Sequence, residues 1–123
     1  MKILICEDDL MTSKAVEHHL KRNGFDTITA LNGREAIDKL VIDNFDILLV
    51  DIHMPYMNGL ELISYIRNEL KSHMPIVVLT RVGLEETAEE AFSLGADDYI
   101  TKPFNPDELT VRLKRLLVKN ENI

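Results

Sequence analysis

Hydrophobic residues occur along this chain in two periods that take turns. Residues 3–6, 47–50 and 76–79 are short runs in which every position is apolar, the pattern of strands buried on both faces. Residues 26–30 form a less apolar run with Thr27 and Thr29 on one face, as an edge strand would, and residues 99–101 form a fifth short strand. Between these runs the apolar spacing widens to about 3.6 residues, the repeat of a helix. Thr12, Val16, His19 and Leu20 mark a helix over 10–23, and Ala36, Ile37, Leu40 and Val41 are the buried set of one over 32–44. Leu62, Ile63, Ile66 and Leu70 mark a third over 58–71, and a fourth spans 84–94. In the last, over 106–120, Leu109, Leu113, Leu116 and Leu117 form the core stripe and Val111 and Val118 face outward.

Punctuation between the runs supports these boundaries. Gly24 and Gly95 stand where helices stop. Asn32 with Glu35, Asn58 with Glu61, and Asn105 with Glu108 each place a capping acceptor and then an acid three residues on, near the positive end of the helix dipole. Pro106 takes the first helical position of the last helix. Strands alternating with helices on short loops predict an α/β fold, a doubly wound five-stranded parallel sheet. Right-handed crossovers with helices on both faces favour strand order 2-1-3-4-5, the flavodoxin-like arrangement.

Composition narrows the class. A chain of 123 residues, 46% hydrophobic and 28% charged, suits a single domain spanning 1–123 with one core. No apolar run approaches the ~20 residues of a membrane span, and Met1-Lys2 leads straight into a strand rather than a leader. A cytoplasmic protein is expected. Its single cysteine, Cys6, has no internal disulfide partner and reads as a small buried hydrophobe. With 21 acids against 14 bases the formal charge is −7, which argues against DNA or an anionic membrane as a direct partner.

The chemistry collects at the carboxyl ends of the strands. Glu7, Asp8 and Asp9 follow the first strand, Asp51 the third, Thr80 the fourth and Lys102 the fifth. In a sheet of the predicted order these loops converge on the switch point between strands one and three, where open α/β sheets bind ligands. Taken alone, Asp51 reads equally well as a solubilising or capping acid. Clustered carboxylates repel unless a cation sits among them, and oxygen ligands without converging imidazole or thiolate favour Mg²⁺ over zinc. An ammonium from Lys102 and the Thr80 hydroxyl would receive an anion at the same point. A carboxylate, a Mg²⁺, an ammonium and a hydroxyl together make a phosphoryl-transfer site with Asp51 as nucleophile.

The segments ILICEDD at 3–9, LLVDIHMPYMNG at 48–59, PIVVLT at 75–80 and GADDYITKPF at 95–104 resemble the receiver domains of bacterial two-component response regulators, in their order and across the whole chain. The resemblance implies that Asp51 is the phosphoacceptor, accepting a phosphoryl group from a phosphohistidine on a sensor histidine kinase or phosphotransfer protein. Glu7 and Asp8 would be the acidic pair for Mg²⁺, with Asp51 and the His53 backbone carbonyl as further ligands and Asp9 as a helix cap. Thr80 and Lys102 would sense the phosphoryl group, and Tyr99 would turn inward as Thr80 moves. The Lys102-Pro103 bond would be cis, and His53 and Val82 would flank the path of the hydrolytic water.

Two positions depart from the pattern. Arg81 stands where the family usually has a small residue, and it reads as a side chain snorkelling to solvent. The fourth helix is acidic at Glu85, Glu86, Glu89 and Glu90, with Ala88 where winged-helix regulators carry a basic dimer contact. Asp97, Asp98, Glu108, Arg112 and Lys119 keep the rest of that contact, so a phosphorylation-dependent homodimer through the fourth helix, fifth strand and fifth helix is expected. Competing functions are an aspartate-nucleophile phosphatase of haloacid type, which would want an acid where His53 stands, and a pseudo-receiver that works without phosphorylation. His18 reads as solvated and His19 as half-buried, and the methionines Met54, Met57 and Met74 read as packing.

Overall fold

The computed structural model describes residues 1–81 and 83–121. Strands β1 (Lys2–Cys6), β2 (Asp26–Ala30), β3 (Ile47–Asp51), β4 (Ile76–Arg81) and β5 (Asp98–Lys102) form one parallel sheet in the order β2-β1-β3-β4-β5. Helices α1 (Leu10–Arg22), α2 (Gly33–Ile42), α3 (Gly59–Asn68), α4 (Glu85–Leu94) and α5 (Pro106–Glu121) connect them. The predicted fold class and strand order are those observed.

Strand alternation divides the core. Leu4, Cys6, Leu48, Val50, Ile76 and Val78 point to one face, where α2, α3 and α4 cover them with Ala36, Leu62, Ile63, Ile66 and Ala91. Their neighbours Ile3, Ile5, Ile47, Leu49, Val77 and Leu79 point to the other, under Val16 and Leu20 of α1 and Leu109, Leu113 and Leu117 of α5. A strand buried on both sides has no polar face to offer, which is why these runs are uninterrupted.

Caps set the helix starts. The Asn32 side chain accepts from the Glu35 amide at 3.0 Å, while the Glu35 carboxylate reaches the Leu31 amide instead. Asn58 and Glu61 close a reciprocal capping box. At α5, Asn105 accepts from the Asp107 amide at 2.8 Å, and Glu108, in the first turn, pairs with Arg112. Asp9 caps α1 by accepting from the Met11 amide and the Thr12 hydroxyl.

Two expected core positions are corrected. Val41 is 69% exposed, because α2 ends at Ile42 over the edge strand β2 and among the described residues no further strand lies beyond to extend the layer under its last turn. Leu70 is 37% exposed, because α3 ends at Asn68 and Lys71 adopts φ 54°, so helical spacing no longer applies there.

Arg67 was not foreseen as a structural residue. Its guanidinium donates to the Gly95 carbonyl at 3.0 and 2.9 Å, to the Ser72 carbonyl at 2.9 Å and to Asp97 at 3.1 Å. Gly95, at φ 119°, lets this happen: a Cβ there would lie 2.8 Å from the Arg67 side chain. The C-terminal ends of α3 and α4 are thereby fastened to the start of β5.

Candidate acidic site at the carboxyl edge of the sheet

The register brings the strand ends together. Cys6 pairs with Val50 and Asp51 with Leu79, while Thr80 pairs with Thr101 and Arg81 with Lys102. Side chains that leave β1 and β3 just past these pairs meet above the sheet. Glu7, Asp8 and Asp51 each offer a carboxylate oxygen, and these oxygens lie within 4.8 Å of one another. Glu7 and Asp51 are buried, at 1% and 5% exposure, and Asp8 is open to solvent.

Lys102 holds the buried pair. Its ammonium donates to Glu7 Oε2 at 2.7 Å and to Asp51 Oδ2 at 3.2 Å. The other Asp51 oxygen, Oδ1, accepts from the His53 amide at 3.1 Å, and Glu7 Oε1 accepts from the Asp9 amide at 3.2 Å. Burial pushes the Glu7 carboxyl up to about 7, opposed by the Lys102 hydrogen bond and reinforced by the Asp51 charge. Lys102 rests above its ordinary value: burial disfavours its charge, but the bonds and charges of Glu7 and Asp51 more than offset that. The shorter of its two contacts is to Glu7, a pairing that the sequence does not single out.

The Thr80 hydroxyl is buried and lacks a hydrogen-bond partner among the described residues. An orphaned buried hydroxyl costs about 1–3 kcal/mol, a cost that an arriving acceptor would remove. Tyr99 lies partly buried against the core on the α4 side and meets Phe92 edge-on, with ring centroids 5.8 Å apart. The Lys102-Pro103 peptide is cis. Arg81 is exposed, as the snorkelling reading expected, and His53 is exposed beside the site. Val82 and the Lys119 side chain lie outside the described residues.

Next to the acids, Cys6 is buried with its Sγ 3.4 Å from the Met54 sulfur. Burial first, and the Glu7 and Asp51 charges after it, push the thiol well above its usual range, so it carries almost no thiolate. Among the described residues the donors that converge here are therefore oxygens, with no histidine or thiolate in the group, which suits a hard divalent cation such as Mg²⁺. A buried carboxylate oriented by an ammonium and an amide, beside a polar group awaiting an acceptor, can take up an anionic electrophile.

Residues 3–114 match the model of a family described as the response regulator receiver domain. The chain is 40% identical over 114 residues to the transcriptional regulatory protein CrdR of Helicobacter pylori, covering 93% of this chain and 54% of CrdR. It is 36% identical over 120 residues to the alkaline phosphatase synthesis transcriptional regulatory protein PhoP of Bacillus subtilis, covering 98% of this chain and 50% of PhoP. It thus spans about half the length of the curated relatives it matches. Among solved structures, the receiver domain of the Francisella response regulator 1452 superimposes with a TM-score of 0.90 at 32% identity, over 97% of this chain and 98% of that one. The chemotaxis response regulator CheY4 of Vibrio cholerae gives 0.86 at 34% identity, over 93% and 96%. With the matched segment running from β1 into α5, through every strand end that carries the acids, hydroxyl and ammonium, this chain belongs to the receiver domains of two-component response regulators.

Proposed function

We propose that this receiver domain is a phosphoacceptor switch in which Asp51 takes a phosphoryl group from a phosphohistidine of a sensor histidine kinase or phosphotransfer protein. An Asp51 carboxylate oxygen attacks phosphorus, the P–N bond to the imidazole breaks, and the imidazole nitrogen leaves with the electron pair. The observation that carries this reading is the holding of Asp51: buried, with one oxygen on the His53 amide and the other on Lys102. The backbone bond fixes the carboxylate plane, and the ammonium is placed to bind the incoming anion.

Receiver domains as a family bind Mg²⁺ at an acidic cluster. Glu7, Asp8, Asp51 and the His53 backbone carbonyl would hold it here, and when bound it neutralises the negative charge that gathers at the phosphorus. The chain's own part is to keep Lys102 between Glu7 and Asp51, so that the cluster stays compact without that ion.

Once Asp51 carries the phosphoryl group, the unpartnered Thr80 hydroxyl donates to it, and Tyr99, packed against Phe92, follows into the space released. The effector is a further part of this proposal: the relatives are transcriptional regulators about twice the length of this chain. The symmetric dimer that the resemblance implies would require Arg112 to exchange its own Asp98 and Glu108 for those of a second copy, since both pairs close within one chain. A cytoplasmic location accords with such partners, and among the described residues no helix is long and apolar enough to cross a membrane.

The test is chemical. Acetyl phosphate with Mg²⁺ should add one phosphoryl group, and the adduct should be labile to base and to hydroxylamine, as an acyl phosphate is. An adduct stable to both would not be an acyl phosphate and would overturn the reading. For the metal, Asp8→Ala should weaken Mg²⁺ binding at least about ten-fold in a calorimetric titration, since it removes a charged ligand from a hard-cation site. Equal affinity would take Asp8 out of the site.

A further inference from the structure

On the side of the sheet opposite α1 and α5, helices α3 and α4 leave an open groove of about 660 Å³ between them. Met57, Leu60 and Leu94 supply its apolar lining, and its charged lining is Glu61, Glu69 and Glu90. No lysine, arginine or histidine lines it, and among the described residues neither Glu69 nor Glu90 makes an ion pair. Helix α4 carries the last of these acids, Glu90, against its own interest. Glu86 lies one turn before Glu90, where like charges disfavour the helix, and α4 has no basic residue in its last turn to offset them. A cationic surface laid in the groove would offset this repulsion at Glu90.

The chain itself carries the matching surface. Val111, Lys114, Arg115 and Val118 fall within an arc of about 100° on α5. All four are exposed, each valine at 56%, and neither Lys114 nor Arg115 is in an ion pair among the described residues. Because α5 packs on one face of the sheet and α3 and α4 on the other, the two surfaces point away from each other and cannot meet within one chain.

We propose that the α5 face of one copy docks in the α3–α4 groove of a second copy, valines over the apolar floor and cations among the carboxylates. This is a helix-in-groove contact, and it is head to tail, so a pair keeps one free groove on one copy and one free helix on the other, and association can continue. It does not depend on phosphorylation, since both surfaces are open in the chain as it stands.

Sedimentation of the 123-residue chain over a range of concentrations tests this. At low salt the average mass should rise with concentration, and it should fall back toward the monomer at about 1 M salt, where charge attraction is screened. Glu69→Lys/Glu90→Lys and Lys114→Glu/Arg115→Glu should each raise the self-association constant for dissociation at least ten-fold. Mixed one to one, the two variants should associate again, because each supplies the charge that the other lacks. That rescue cannot come from misfolded protein. A wild type that stays monomeric at low salt would overturn the proposal. So would association that both reversals leave intact, or that appears only with beryllofluoride.

Discussion

Asp51→Asn is expected to abolish labelling by acetyl phosphate while the chain stays folded. The amide has the shape of the carboxylate, and the two groups that hold Asp51 do not both need its charge: the His53 amide can still donate to an amide oxygen, and Lys102 keeps its shorter bond to Glu7. What disappears is the nucleophile, since an amide oxygen carries no full charge and its nitrogen lone pair is delocalised. Stability should change by no more than about 1 kcal/mol, because the substitution also removes one of three mutually repelling acids. Intact-mass measurement reads the adduct and a urea titration reads the fold. Full labelling of the variant would move the acceptor to a neighbour, with Asp8 the first candidate because it is the open carboxylate of the group.

The largest structural effect is expected from Gly59→Ala. Gly59 opens α3, and its amide donates to the Ile52 carbonyl at 2.8 Å. A Cβ there would stand 2.7 Å from the Asp51 carbonyl oxygen, 2.7 Å from the Ile52 Cα and 3.2 Å from the Asp51 carbonyl carbon. All three are backbone atoms, so no rotamer change relieves the clash. Alanine gains about 1 kcal/mol of helix propensity over glycine, but overpacking costs about 1–3 kcal/mol, and with backbone on the far side the upper part of that range should win. The urea midpoint should fall, and phosphorylation should slow with it, because the displaced backbone belongs to Asp51 itself. A variant as stable as the parent would show that the turn from Ile52 to Asn58 moves freely, and that the site is not held by this contact.

How far the sequence reached follows from the range of each interaction. Strands, helices and their order were legible because they rest on patterns within a few residues: apolar runs, helical spacing, asparagine caps and glycine stops. The meeting of Glu7, Asp51, Thr80 and Lys102 was legible one step further out, since the strand order alone sends all four loops to one edge. The same logic failed where a local pattern met a boundary. Leu70 keeps helical spacing in the sequence but lies past the last turn of α3, and Val41 sits on a helix that overhangs an edge strand.

Other features belong to the tertiary structure alone. That Lys102 binds Glu7 more closely than Asp51, across 95 residues of chain, depends on distances no spacing rule contains. That the Thr80 hydroxyl has no partner among the described residues depends on which neighbours fail to reach it. Nothing in the sequence singles out Arg67 on α3, and only the packed chain puts the Gly95 and Ser72 carbonyls and Asp97 around it. The groove between α3 and α4 exists because both helices pack on the same face of the sheet, while α5 is sent to the other. Periodicity decides which side of a helix is buried, but the spacing between buried elements is set by side chains far apart in sequence, and so it was for the folded chain to decide.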